Sequence, residues 1–240
     1  MNNIFSNLPL VVKNLLIINI VCFLGAQIFE PATRLFGVYY PDSEYFHIWQ
    51  PITYMFMHGG FMHLFFNMFA LVMFGPIIEG VFGSKRFLNY YIICALGALV
   101  LQYGVQAFEV YKIMGTPFAK SQLMFYDFET LKGFIPSNPE LYTIDDRSTI
   151  FGIYSIPMVG ASGAIFGLLL AFAYLFPNMP LYLMFIPVPI KAKYFVGIYI
   201  LIEIYLGFNH SGSSIAHLAH VGGALFGFLL IKAWGIRRGY

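Results

Sequence analysis

Long apolar runs constrain this chain more than any other feature. Six of them approach the roughly 20-residue length at which an α-helix crosses the hydrocarbon layer of a bilayer. Only 10% of the residues are charged, against roughly 25% in soluble domains, and the mean hydropathy is +0.74. We therefore predict an all-α integral membrane protein whose spans lie at about residues 8–29, 61–82, 87–108, 160–176, 193–208 and 215–234.

The order of these runs predicts one membrane domain over residues 1–240, interrupted by a polar loop insertion at about 109–159. A β-barrel is excluded because short segments of alternating apolar and polar residues are absent. The net charge of +2 is too small to indicate a nucleic-acid partner. Cys22 and Cys94 both fall inside apolar spans, so we interpret them as packing residues. The first span lacks a small-residue cleavage site and is expected to stay as a membrane anchor.

Basic residues collect at alternate ends of the spans. They are Lys13, Lys85, Arg86, Lys191, Lys193, Lys232, Arg237 and Arg238. If six helices alternate in direction, these residues share one side, which the positive-inside rule makes cytoplasmic. Both termini are then cytoplasmic, and the second, fourth and sixth spans begin at the outer face. Short termini without a seventh span favour a bacterial plasma (inner) membrane.

Four polar residues are predicted to lie at one depth near the outer face. His63 and Asn67 project from one side of the second span, since they stand at i and i+4. Ser162 opens the fourth span, and His220 lies about one turn into the sixth. A lone serine in a membrane helix more often bonds its own backbone. Polar side chains inside a membrane are costly and usually face a shared cavity, so these four indicate one site.

The chemistry of these residues predicts nucleophilic catalysis. A serine hydroxyl needs a base to take its proton, and the neutral imidazole of His220 is suited to do this for Ser162. No carboxylate is expected at this depth in the neighbouring outer half-helices, which predicts a Ser-His dyad without an orienting carboxylate. Phe166 is the expected surface against which the imidazole packs. The Ser162 amide, the His63 ring N–H and the Asn67 side-chain amide are the expected donors to an oxyanion.

Small residues are predicted to bring the fourth and sixth spans together. Gly163 and Gly167 form one small-xxx-small pair, and Gly223 and Gly227 form another. Gly160, two residues before the serine, leaves room for a neighbouring group. Ordinary helix packing would explain either pair alone, but the second pair shares a helical face with the imidazole-bearing residue.

In these motifs the chain resembles the rhomboid family of intramembrane serine proteases. The sequence GASG at 160–163 is similar to the family's nucleophile motif. The sequence AHVGGALFG at 219–227 resembles its Ala-His-x-x-Gly-x-x-x-Gly motif, and His63-x-x-x-Asn67 resembles its second-helix motif. The resemblance implies a six-helix rhomboid bundle and a serine endopeptidase that cleaves single-pass transmembrane proteins within or near their membrane segment. It also implies partners limited to such substrates and membrane lipid, without a metal or organic cofactor.

The chain departs from the family pattern at two positions. Trp49-Gln50 stands where the family often has Trp-Arg, and Phe166 replaces a frequent tyrosine. In this family the fifth helix and the loop before the sixth are thought to move for the substrate. Here that segment corresponds to residues 194–214, with Gly207 and Gly212 as flexible points.

Two other functions remain open from the sequence. The first is an inactive rhomboid-like adaptor or chaperone that binds membrane helices, which the intact Ser162 and His220 disfavour. The second is a transporter that uses Glu203 and the histidines as a proton path, which the missing inverted repeat disfavours.

For three further polar residues, His217, Glu203 and Glu79, we expect no catalytic role. A metal site formed by His217 with His58 and His63 is disfavoured, because no His-Glu-x-x-His motif or acidic ligand is nearby. Glu203 lies on a helix without motif residues, so a structural role is expected. Glu79 ends the second span and is predicted to pair with Lys85 or Arg86.

Overall fold

The computed structural model describes residues 8–128, 131–183, 186–209 and 217–237. Its helices are α1 (Leu10–Ile28), α2 (Ala32–Phe36), α3 (Gln50–Thr53), α4 (Phe61–Phe82), α5 (Ser84–Met114), α6 (Ile144–Ser155), α7 (Ser162–Leu175), α8 (Ala192–Asn209) and α9 (His217–Ala233). The strands form two antiparallel hairpins, β1 (Leu123–Phe128) with β2 (Leu131–Pro136), and β3 (Pro180–Leu183) with β4 (Ile186–Lys191). Gly212, Arg238 and residues 210–214 of the segment expected to move lie outside the described residues.

Helices α1, α4, α5, α7, α8 and α9 overlap the predicted spans. Three of them, α1, α4 and α5, are long and apolar enough to cross a membrane, and α7 and α9 are shorter apolar helices. With 14 residues, α7 is about 21 Å long, less than the roughly 30 Å of the hydrocarbon layer. The prediction of a helical integral membrane protein is confirmed, while the single domain over 1–240 stays a prediction.

The polar insertion is more ordered than a loop. Helix α5 continues past the predicted third span and ends at Gly115, whose φ of 75° gives a left-handed C-terminal cap. The hairpin β1–β2 and helix α6 follow, and α6 begins with a capping box between Thr143 and Asp146. Together with the end of α5 they enclose a second hydrophobic core of Tyr40, Val110, Met114, Ala119, Ile150, Ile153 and Tyr154.

Hydrogen bonds join this insertion to the first loop. Ser43 Oγ donates to the Tyr154 carbonyl oxygen at 2.6 Å, and the Tyr154 hydroxyl donates to Asp42 Oδ2 at 2.9 Å. Val38 and Met158 form an isolated antiparallel bridge. The chain segment that leads from the insertion into α7 is therefore held by the first loop.

Helices α5, α7 and α9 pack against one another in the middle of the bundle. Their separation is set by glycines, because a Cβ at Gly223 would overlap the carbonyl group of Gly163. One turn further on, a Cβ at Gly227 would meet the Gly167 Cα at 3.1 Å. The Tyr90 hydroxyl of α5 donates to the Gly167 carbonyl oxygen at 2.7 Å, so a hydrogen bond also joins α5 to α7 beside this glycine contact.

Glu79 stabilises the start of α1 instead of pairing with the basic residues after α4. Its carboxylate accepts hydrogen bonds from the Val11 and Val12 amides at 3.2 and 2.9 Å, and from Ser84 Oγ at 2.6 Å. The predicted pairing with Lys85 or Arg86 is wrong. The first amides of a helix lack intrahelical partners, so a buried anion gains more from them than from solvent-exposed cations.

Candidate active site

Ser162 and His220 contact each other directly. Ser162 is the first residue of α7 and His220 lies in the first turn of α9. Ser162 Oγ and His220 Nε2 are 2.9 Å apart, within hydrogen-bond range. This places a hydroxyl and an acceptor nitrogen at the separation that proton transfer requires.

A stacked aromatic ring holds the imidazole. The Phe166 and His220 rings are parallel within 3°, with centroids 4.4 Å apart. Tyr199 of α8 packs on Phe166, with ring centroids 4.8 Å apart. The stack restricts rotation of the imidazole about its side-chain bonds, so Nε2 keeps facing the hydroxyl.

The second-helix histidine lies on the same side of the site. Gly160 has a φ of +128°, which side chains rarely tolerate, and a Cβ there would meet His63 Cε1 and Nε2 at 2.8 Å. The same point is 3.6 Å from Ser162 Oγ. The His63 ring and the Ser162 hydroxyl therefore face one small volume, and the N-terminal ends of α4, α7 and α9 meet around it.

Asn67 presents a buried donor. Its side chain is 5% exposed, and among the described residues its Nδ2 has no hydrogen-bond partner. Leaving a buried donor unpaired costs about 1–3 kcal/mol, and a catalytic role is one explanation for such a group. A donor that gains an acceptor only when an oxyanion forms would stabilise that oxyanion preferentially.

Glu203 contacts the imidazole of His220, which corrects the expectation that no carboxylate lies at this depth. Glu203 Oε2 of α8 lies 2.8 Å from His220 Nδ1. The expectation considered only the helices that carry motif residues. Because α8 and α9 pack side by side, a residue in the second half of α8 reaches the first turn of α9. The signal was present in the sequence, since an ionisable residue within a membrane span is a functional candidate by default.

The same carboxylate oxygen also binds His217. His217 Nδ1 lies 2.8 Å from Glu203 Oε2. Potential metal-ligand atoms of Glu203, His217 and His220 lie within 4.8 Å of one another, and one carboxylate with two imidazoles is a ligand set that suits a metal ion. Hydrogen bonds between the carboxylate and the two rings account for all of these contacts, so we assign no metal here.

Two further polar residues, His58 and Gln50, are buried in the segment before α4. His58 is buried, and burial together with the neighbouring His63 ring lowers the pKa of His58 to about 4. Gln50, at the position where the family often has an arginine, is fully buried. Its side chain accepts a hydrogen bond from the His47 amide at 3.0 Å and donates to the Tyr45 carbonyl at 2.9 Å. A neutral amide therefore braces the first loop without a buried charge.

Comparisons with known proteins identify the family of the chain. The family model of the rhomboid domain matches residues 45–236. The rhomboid protease GlpG of Haemophilus influenzae is 27% identical over 175 residues, covering 67% of this chain and 90% of that protein. The rhomboid protease GluP of Bacillus subtilis is 26% identical over 189 residues, or 78% of this chain, and the chain spans only 26% of its length. Rhomboid protein 1 of Saccharomyces cerevisiae mitochondria is 29% identical over 179 residues, 72% of this chain and 38% of that protein.

The matched region contains α4 to α9 and hence every residue of the site described above. The roles given to the individual residues stay predictions, and their arrangement in space is now known. The resemblance found in the motifs is confirmed, and the chain belongs to the rhomboid family, a family of intramembrane proteases.

Proposed function

We propose that this protein is a serine endopeptidase that cleaves single-pass transmembrane proteins within or near their membrane segment. The observation that carries the proposal is the 2.9 Å contact between Ser162 Oγ and His220 Nε2. Membership of a family whose relatives are named as proteases supports it.

The first half of the reaction forms an acyl-enzyme. The Ser162 hydroxyl proton passes to His220 Nε2 while Oγ bonds to the substrate carbonyl carbon, and the carbonyl electron pair moves onto oxygen. In the proposed reaction the Ser162 amide, the His63 ring N–H and the Asn67 side-chain amide donate hydrogen bonds to this oxyanion. The tetrahedral species then collapses, the C–N bond breaks, and the leaving nitrogen takes the proton from Nε2.

The second half repeats these steps with water. Water gives a proton to His220 Nε2 as its oxygen bonds to the acyl carbon, and the acyl bond to Ser162 Oγ then breaks. The proton on Nε2 returns to Oγ and restores the free enzyme. The short α7 supports access of water, because a helix of about 21 Å cannot extend Ser162 to the full height of a roughly 30 Å layer.

The charge pattern supports one orientation in the membrane. We propose that both termini lie in the cytoplasm and that the site opens to the outer side, since the basic residues lie at the opposite helix ends. We propose a bacterial inner membrane, which the relatives from Haemophilus influenzae and Bacillus subtilis support. The relative from Saccharomyces cerevisiae is named as mitochondrial, so relatives of this chain are not confined to bacteria.

An inactive adaptor that binds membrane helices is the alternative. It needs a groove for a helix but no alignment between a hydroxyl and an imidazole. The stacked His220 ring and the unpaired Asn67 amide are features that catalysis uses and passive binding does not.

A fluorophosphonate probe that reacts with activated serines tests the proposal. Purified protein in detergent is expected to be labelled, and Ser162→Ala and His220→Ala are expected to abolish labelling. The exposed Ser137 supplies a matched control, because its hydroxyl donates to the Gln122 carbonyl and belongs to the insertion, so Ser137→Ala is expected to leave labelling intact. Cleavage of a reporter transmembrane protein in proteoliposomes is measured in parallel. A folded wild type that neither reacts with the probe nor cleaves the reporter supports the adaptor.

A further inference from the structure

We infer that Glu203 is a positioning residue for the reaction, so that the site works as a Ser162-His220-Glu203 triad. This inference rests on the proposed function. Its basis is the carboxylate oxygen of α8, which lies 2.8 Å from His220 Nδ1, on the side of the ring opposite to the nitrogen that faces Ser162.

The contacts of Glu203 select one tautomer of His220. An ionised carboxylate accepts hydrogen bonds and donates none. Glu203 Oε2 faces Nδ1 of His217 and Nδ1 of His220, each at 2.8 Å, so each of these nitrogens carries its proton. In the neutral His220 ring this leaves Nε2 unprotonated, which is the form that can take the hydroxyl proton of Ser162.

The same carboxylate stabilises the charge that develops. When Nε2 accepts the serine proton, the imidazole becomes a cation 2.8 Å from Glu203 Oε2. The Glu203 side chain is 6% exposed and the His220 side chain 14%, so little water screens this attraction. Glu203 keeps its own protonation state throughout, as the third residue of a serine triad does.

His217 orients the carboxylate. His217 and His220 stand at i and i+3, so both rings leave the same face of α9 and reach one oxygen of Glu203. The ring planes are nearly perpendicular, at 89°, which lets each Nδ1 approach that oxygen from its own direction. A carboxylate held by two donors has less freedom to leave the imidazole.

The first test compares Glu203→Gln with Glu203→Asp in cleavage of the reporter. The glutamine amide, unlike the carboxylate, can donate to Nδ1, so it no longer excludes the tautomer with a protonated Nε2. We expect kcat to fall about 10²- to 10⁴-fold with little change in KM. The aspartate keeps an ionised acceptor and is expected to recover at least a tenth of wild-type kcat. His217→Ala is expected to lower kcat about tenfold, the typical effect of one hydrogen bond to a charged group.

Glu79→Gln is the matched control, since Glu79 is another buried carboxylate on a membrane helix but lies away from the site. It is expected to keep wild-type kcat even where its stability falls. Spectra of ¹⁵N-histidine protein supply a readout that a merely structural role would not move. The His220 signals, assigned with His220→Ala, report a protonated Nδ1 in the wild type and a protonated Nε2 in Glu203→Gln.

The outcomes separate the two proposals. If the wild type is active and Glu203→Gln keeps more than a third of its kcat and the same His220 tautomer, the positioning role of Glu203 is overturned. The proposal of a serine protease is then unaffected. A folded wild type with no more activity than Ser162→Ala overturns the protease, and the catalytic role of Glu203 with it. A large loss of kcat in Glu203→Gln with a changed tautomer and partial recovery in Glu203→Asp supports the triad.

Discussion

Replacing Gly160 by alanine perturbs the site through its backbone. The φ of +128° at this position costs an L-residue about 1–3 kcal/mol, which lowers the stability of the folded protein. The added methyl carbon would lie 2.8 Å from Cε1 and Nε2 of His63, whereas relaxed contacts need about 3.5 Å. The ring must therefore move by about 0.7 Å, or the backbone must move away from it. A donor displaced that far from about 2.9 Å leaves hydrogen-bond range.

Loss of one oxyanion donor lowers kcat about 10²- to 10³-fold, and a partial displacement gives the lower end of that range or less. We therefore expect Gly160→Ala to reduce kcat for the reporter at least tenfold. Gly152→Ala is the control, because a Cβ at Gly152 in α6 meets no atom within 4 Å and alanine favours a helix. Thermal unfolding in detergent checks that both variants fold. A folded Gly160→Ala variant with kcat within twofold of wild type would refute the proposed placement of the His63 donor.

Three other perturbations have definite expected outcomes. Glu79→Gln removes the anion bound to the first amides of α1, and we expect about 1–3 kcal/mol lower stability in thermal or SDS unfolding; a melting temperature equal to that of wild type would contradict this assignment. The pKa of His58 is about 4 in the folded protein, below its usual value, so the unfolded chain takes up the proton first as the pH falls. The contribution of neutral His58 to the free energy of unfolding is therefore fully present above about pH 6.5 and is lost by about 1.4 kcal/mol per pH unit toward pH 4. The decline in stability is expected to be shallower in His58→Gln. Because Nδ1 of His217 and Nδ1 of His220 are already hydrogen-bonded to Glu203, EDTA is expected to leave probe labelling unchanged. If EDTA abolished labelling and added zinc restored it, a metal ion at Glu203 would be indicated.

The sequence predicted those parts of the structure that depend on local pattern. Apolar length defined the helices, and α4 begins and ends at the predicted residues 61 and 82. The motif spacing placed Ser162 and His220 in the first turns of two helices, and the small-residue pairs explained how these helices come close enough for contact. Phe166 was expected beside the imidazole because residues four apart share a helical face.

What the sequence could not provide depends on lateral packing between helices. Glu203 carries no motif, and its contact with His220 exists only because α8 lies beside α9 at a particular rotation. The ordered insertion has the same origin, since Tyr154 and Tyr40 meet across more than a hundred residues of chain. Glu79 was assigned the nearest charges in sequence, whereas its partners are the amides of a helix that begins far earlier in the chain.

The contact between Gly163 and Gly223 is made by main-chain atoms. This main-chain contact sets the separation of the two backbones that carry Ser162 and His220, so that separation does not depend on the exposed side chains of the bundle. Exposed residues of α8 such as Ile198 and Leu201 can therefore be exchanged to suit a different membrane or a different substrate surface without changing that separation. Directed evolution of substrate preference should accordingly accept many changes on the exposed face of α8 and almost none on the facing sides of α7 and α9.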